Sequence, residues 1–104
     1  MKLRQDQIDR IEVKINTSGK NDVVLITTSG RRDLPPDEHN QNVYCVDSEY
    51  NIVWQIHTPA SSFENDAFIY LERKGTQLSA ERFSGFEYVI DVKTGNAKQV
   101  DWHK

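Results

Sequence analysis

A single cysteine, Cys45, rules out any internal disulfide. Set in the apolar run "VYCV", it reads as a small buried hydrophobe rather than a nucleophile. No apolar stretch approaches the roughly 20 residues that a helix needs to cross a bilayer, so no membrane association is expected. The opening "MKLRQDQIDR" has no apolar core of the kind that marks a signal peptide, and the chain reads as cytoplasmic. Charge of one sign is missing too. Sixteen acidic and 13 basic residues are interspersed at a net charge of −3, leaving no basic stripe to neutralise a run of phosphates. Nucleic acid is therefore not an expected partner.

What is present is a folding composition. Apolar residues make up 37% of the chain and aromatic residues 10%, against 28% charged, which is too apolar for a disordered segment. At 104 residues the chain has enough surface to bury for one core, so residues 1–104 are expected to form one domain. Apolar side chains alternate at Ile11, Val13 and Ile15, the period of a strand with one face inward, although Ile8, Ile11 and Ile15 also fit helical spacing. The turn cluster "TSGKND" and then "VVLITT" favour a hairpin. "SGRRDLPPDEHNQN" (29–42) is the longest loop, with two prolines in succession. Beyond it come 43–46 and 52–57 around "DSEYN", a second loop 58–66, then "AFIYLER", "QLSAERF", "FEYVIDV" and "AKQVDW". The pattern predicts an all-β domain of about eight short, mostly antiparallel, hairpin-connected strands, arranged as a bent sheet or small barrel. Ile11, Val13, Ile15, Leu25, Val43, Cys45, Trp54, Ile56, Ile69, Leu71, Tyr88 and Ile90 are the expected core.

The chain repeats itself at an offset of 44 residues: Tyr44 falls on Tyr88, Val46 on Ile90, Asp47 on Asp91, Gln55 on Gln99 and Ile56 on Val100. Each copy has an Asp at a strand end, suited to hydrogen-bonding the backbone two residues on. Asn51 and Gly95 are the expected positive-φ positions. "VYCVDSEYNIVWQI" (43–56) resembles the hairpin of the pyrroloquinoline-quinone-type β-propeller repeat, and "YVIDVKTGNAKQV" (88–100) is similar to its longer form. Tyr50 stands where the shorter form has Gly, and the second copy has Gln99 near the place of the Trp. Two copies do not close a propeller of at least four blades, and the adjacent cysteines typical of the quinone enzymes are missing, so no cofactor is implied. The whole chain also resembles short bacterial proteins of the kind carried by mobile (integron) gene cassettes, in which such hairpins occur singly.

No catalytic signature stands out. "DEH" contains Glu38 and His39, and His57 ends a predicted strand. Together these three could bind a small ligand or assist hydrolysis with a metal, the competing reading being a solvated acidic loop with no metal. Ser61 and Ser62 lack a nucleophile elbow. Arg31 and Arg32 could clamp a carboxylate or phosphate, or simply be solvated. Trp54 alternates with Ile52 and Ile56, so it is expected in the core with an acceptor for its indole N–H. Tyr50 at a turn tip and Trp102 near the C-terminus are the candidate contacts for a partner protein or a second copy of the chain. The reading that follows is a non-enzymatic protein-interaction module, with a small-ligand site between loops 29–42 and 58–66 as its alternative.

Overall fold

Sequential hairpins dominate the chain because turn residues interrupt its apolar runs every few positions. The computed structural model describes residues 1–58 and 65–100. A one-turn helix, α1 (Gln5–Asp9), precedes β1 (Ile11–Ser18) and β2 (Asn21–Ile26). A second one-turn helix, α2 (Pro36–Asn40), lies within the loop predicted at 29–42. Pro36 occupies its first turn, where a missing N–H costs nothing. Next come β3 (Val43–Val46), β4 (Ile52–Gln55), β5 (Phe68–Lys74), β6 (Gln77–Arg82), β7 (Glu87–Ile90) and β8 (Ala97–Gln99). The protein is all-β: among the described residues, eight strands form two four-stranded antiparallel sheets in the orders β1-β2-β3-β4 and β5-β6-β7-β8.

The sheets share one core. Val23, Leu25, Val43, Cys45, Trp54 and Ile56 from the first face Phe68, Leu71, Leu78, Ala80, Tyr88 and Ile90 from the second. The other face of the first sheet carries Val24, Ile26, Tyr44 and Val46, covered by Leu3 and Ile8 of the N-terminal segment. That explains why β2 and β3 are apolar without alternation: both of their faces are buried. The second sheet keeps its buried apolar residues on one face, with Ser79 also buried between Leu78 and Ala80, and departs from the expected core at Ile69. Ile69, expected in the core, is 37% exposed, because an irregularity in register between Phe68 and Tyr70 inserts an extra residue and transfers the inward role to Phe68 and Leu71. Val13 and Ile15 pack on the shared core, and Ile11 on the smaller cluster, all three partly buried.

The repeated hairpins interlock. The indole N–H of Trp54 on β4 donates to the Val92 carbonyl at 3.0 Å, in the turn between β7 and β8. The ring lies so close to Gly95 that a Cβ there would sit 2.6 Å from Trp54 Cε3. Gly95 has φ +81°, as expected for the second copy. In the first copy the positive φ falls on Tyr50 (63°) rather than Asn51. The first turn is one residue shorter: the Asp47 N–H closes on the Asn51 carbonyl, and the Asp91 N–H on the Asn96 carbonyl, one position further along. Asn51 instead spends its side chain on the Asp47 carboxylate at 2.9 Å. A register shift in β4 between the partners of Cys45 and Val46 restores the missing residue, so that Tyr44 opposite Gln55 matches Tyr88 opposite Gln99.

Candidate functional site: a two-chambered cleft

Arg82, at the end of β6, is 1% exposed and holds together the loops at one end of the two sheets. Its guanidinium donates to the carbonyls of Asn40 and Asp66 and to the hydroxyls of Thr58 and Tyr88, and lies 4.3 Å from the Phe68 ring centroid. A buried charge is tolerable only with such partners. Asn42, also 1% exposed, ties the sheets to each other: its amide donates to Ile26 and Phe68 carbonyls and accepts from the Phe68 N–H at 2.8 Å. Asp66 accepts from the Ser84 N–H and hydroxyl, fixing the turn after β6. Among the described residues, no buried side-chain polar atom is left without a partner.

On this rigid base, two cavities of about 450 and 430 Å³ adjoin each other and share His39 and Asn65 in their linings. The first is bounded by Ala67, Phe68, Ile69 and Phe83 on one side and by Thr27, Thr28, Ser29 and Glu12 on the other. The second is bounded by Arg31, Arg32 and Leu34. The chambers therefore differ in chemistry, the first with one apolar wall and one polar wall and the second basic. His39 Nδ1 lies 2.8 Å from Asn40 Oδ1, which also accepts from the Asp66 N–H. The Asn40 oxygen being an acceptor, Nδ1 is the donor, and in the neutral ring Nε2 is left as the acceptor.

An ion network flanks the basic chamber. Arg4 pairs with Asp6 and Glu38, Arg10 with Asp6, and Arg31 forks onto Asp33 at 2.8 and 3.0 Å. The Arg31 fork holds the Asp33 carboxyl down to about 2, and hydrogen bonds from Arg4 hold Asp6 below the ordinary aspartate value. Elsewhere, the Asn51 side chain lowers Asp47, and burial raises both the Cys45 thiol and the Tyr44 phenol.

The residues singled out from sequence are dispersed. Glu38 belongs to the ion network, His39 lines both chambers, and exposed His57 uses its backbone for a parallel bridge to Asn96 that links the ends of β4 and β8. Among the described residues no three His, Cys, Asp or Glu side chains are grouped to hold a metal ion. Tyr50 is partly buried on the smaller cluster, with Lys14 Nζ 5.1 Å from its ring centroid. Trp102, Ser61 and Ser62 lie outside the described residues. Ser29, His39 and Glu12 border the same chamber, and no hydrogen bond joins any two of them. Sequence reasoning missed Phe83, Ile69 and Asn65 as cleft residues. The one signal available was the turn "FSGF", with aromatic residues on both sides of a Ser-Gly pair.

Fold and site together define a small two-sheet β domain with a preformed cleft at one end. The chain belongs to the family described as a domain of unknown function, DUF7957, whose model matches residues 8–102. No curated protein and no solved structure matches it. No helix among the described residues is long and apolar enough to cross a membrane.

Proposed function

We propose that this protein is a non-catalytic binding module whose ligand site is the cleft between residues 27–34 and 65–69. The observation that carries this reading is the pair of adjoining chambers, one with an apolar wall of Ala67, Phe68, Ile69 and Phe83 and one basic, sharing His39 and Asn65. Concave sites with apolar walls and a few polar groups are where small ligands bind, and these volumes fall in the usual range. The test is an NMR fragment screen with amide shifts mapped on the labelled protein. Hits are expected to perturb Thr27–Ser29, Arg31, His39 and Phe83; hits collecting on the outer face of the second sheet, around Glu72 and Glu81, would overturn the reading.

A second reading, a protein partner or a second copy of the chain, is favoured by one observation. Phe83 and Ile69, which line the cleft, are 77% and 37% exposed, leaving apolar surface open at its mouth. Sedimentation over a hundred-fold dilution tests self-association: a dimer dissociated by Phe83→Ser supports this reading, and a monomer throughout removes the homodimer.

A further inference from the structure

Five of the six arginines have their guanidinium groups engaged within the chain. Arg4, Arg10 and Arg31 pair with carboxylates, Arg73 donates to the Asn16 carbonyl, and Arg82 is buried in its hydrogen-bond cage. Arg32 is the exception: it is exposed, has no ion pair or hydrogen bond among the described residues, and lines the basic chamber. Arg31 beside it commits Nε and Nη2 to Asp33, while its Nη1 is 3.9 Å from the nearest Asp6 oxygen, too far for a hydrogen bond. With Arg31 paired to Asp33 and 3.9 Å from Asp6, Arg32 gives the chamber a guanidinium that has no carboxylate partner among the described residues.

The adjoining chamber presents the opposite requirement. The Phe83 ring stands in water at the edge of a concave surface whose walls include Phe68 and Ile69, and covering such a surface is favourable in proportion to the apolar area removed from water. Glu12, on that chamber's polar side, repels an anionic group placed there, and so favours one orientation.

Building on the cleft reading above, we infer that the ligand is a small organic acid with an apolar body, its carboxylate held by Arg32 and Arg31 and its body laid against Phe83 and Ile69. Planar guanidiniums match a carboxylate through paired N–H donors, which an ammonium does not.

Calorimetric titration with octanoate, 1-octanol, octylamine and butyrate separates the parts of this claim. Octanoate is expected to bind at least ten-fold more tightly than octanol or butyrate, and octylamine not to bind. Arg32→Gln should reduce octanoate to the affinity of octanol and leave octanol unchanged, whereas Phe83→Ser should weaken both. Both side chains are exposed, so the variants are expected to fold, which circular dichroism checks. Equal binding of octanoate and octanol, tighter binding of octylamine, or indifference of octanoate to Arg32→Gln overturns the anion assignment and leaves the cleft standing. Binding of octanoate that shifts no cleft amide, or failure of all four probes, overturns the cleft reading with it.

Discussion

At the scale of single residues, Gly95 is the position where two independent constraints coincide. Its φ of +81° is strained for any side chain, and the Trp54 ring occupies the space a Cβ would need. Gly19, at φ +73°, has the first constraint alone, since nothing lies within 4 Å of its would-be Cβ. Gly19→Ala is therefore expected to cost about 1 kcal/mol, and Gly95→Ala about 3 kcal/mol because the ring must move as well. Urea denaturation measures both, and equal losses would show that the Trp54 contact carries no weight. The aspartates give a signed pH dependence. A carboxyl held below its ordinary value contributes stability that is complete above that value and is lost as the pH falls through the folded one. For Asp33 the window runs from its ordinary 3.8 down to about 2, and Asp47 and Asp6 lose their contributions in the same direction. The melting temperature should be level near pH 6 and fall below pH 4. Asp33→Asn should flatten part of that fall, and an unchanged slope would show the fork with Arg31 to be energetically idle. Cys45 and Tyr44 act at the other extreme: burial raises both, so the stability they contribute is complete below their ordinary values of 9.0 and 10.0 and is lost as the pH rises above them.

At the scale of elements, the hairpins were legible because their determinants are local: alternation in β1, the apolar run of β3, and an Asp at the start of each repeated turn. What was not legible depends on partners distant in sequence. The irregularity that exposes Ile69 is a property of the pairing between β5 and β6, and an alternating pattern cannot reveal it. Tyr50 took the strained φ because its turn is one residue short, a constraint visible only once both strands are in register. Arg82 reads in sequence as a solvated charge at the end of a strand, and becomes the clamp on Asn40, Thr58 and Asp66 only when three loops converge. Arg82→Met keeps the apolar contact with Phe68 but removes the donor to two carbonyls and to the Thr58 and Tyr88 hydroxyls, each group left stranded worth about 1–3 kcal/mol. It is expected to lose at least about 3 kcal/mol of stability. Thr58→Val, which removes a hydroxyl that accepts from Arg82 and hydrogen-bonds the Gln41 amide, should cost about 1–2 kcal/mol, and the ratio of the two losses in denaturant titrations checks the network.

At the scale of the whole molecule, the all-β class followed from strand spacing, whereas the division into two sheets did not, since either a closed barrel or a pair of layers satisfies the same alternation. The deciding contacts are the ones between layers: Trp54 to Val92, Asn42 to Phe68, and the bridge from His57 to Asn96. The sequence points to loops 29–42 and 58–66 as the walls of a site, and residues of both line the cleft, Ser29, Arg31, Arg32, Leu34 and His39 from the first and Asn65 from the second. Arg32, Phe83 and His39 are among the residues that line that cleft, and Glu38 and His57 are not. Because the cleft is held open by buried, hydrogen-bonded groups at its base, ligand binding is expected to need little rearrangement of the sheets. The most direct measurement of the account is a crystal structure of the protein soaked in octanoate. The account predicts density with its carboxylate within about 3 Å of the Arg32 guanidinium and its chain against Phe83; a cleft closed by its own side chains, or density bound only on the outer face of the second sheet, would contradict it.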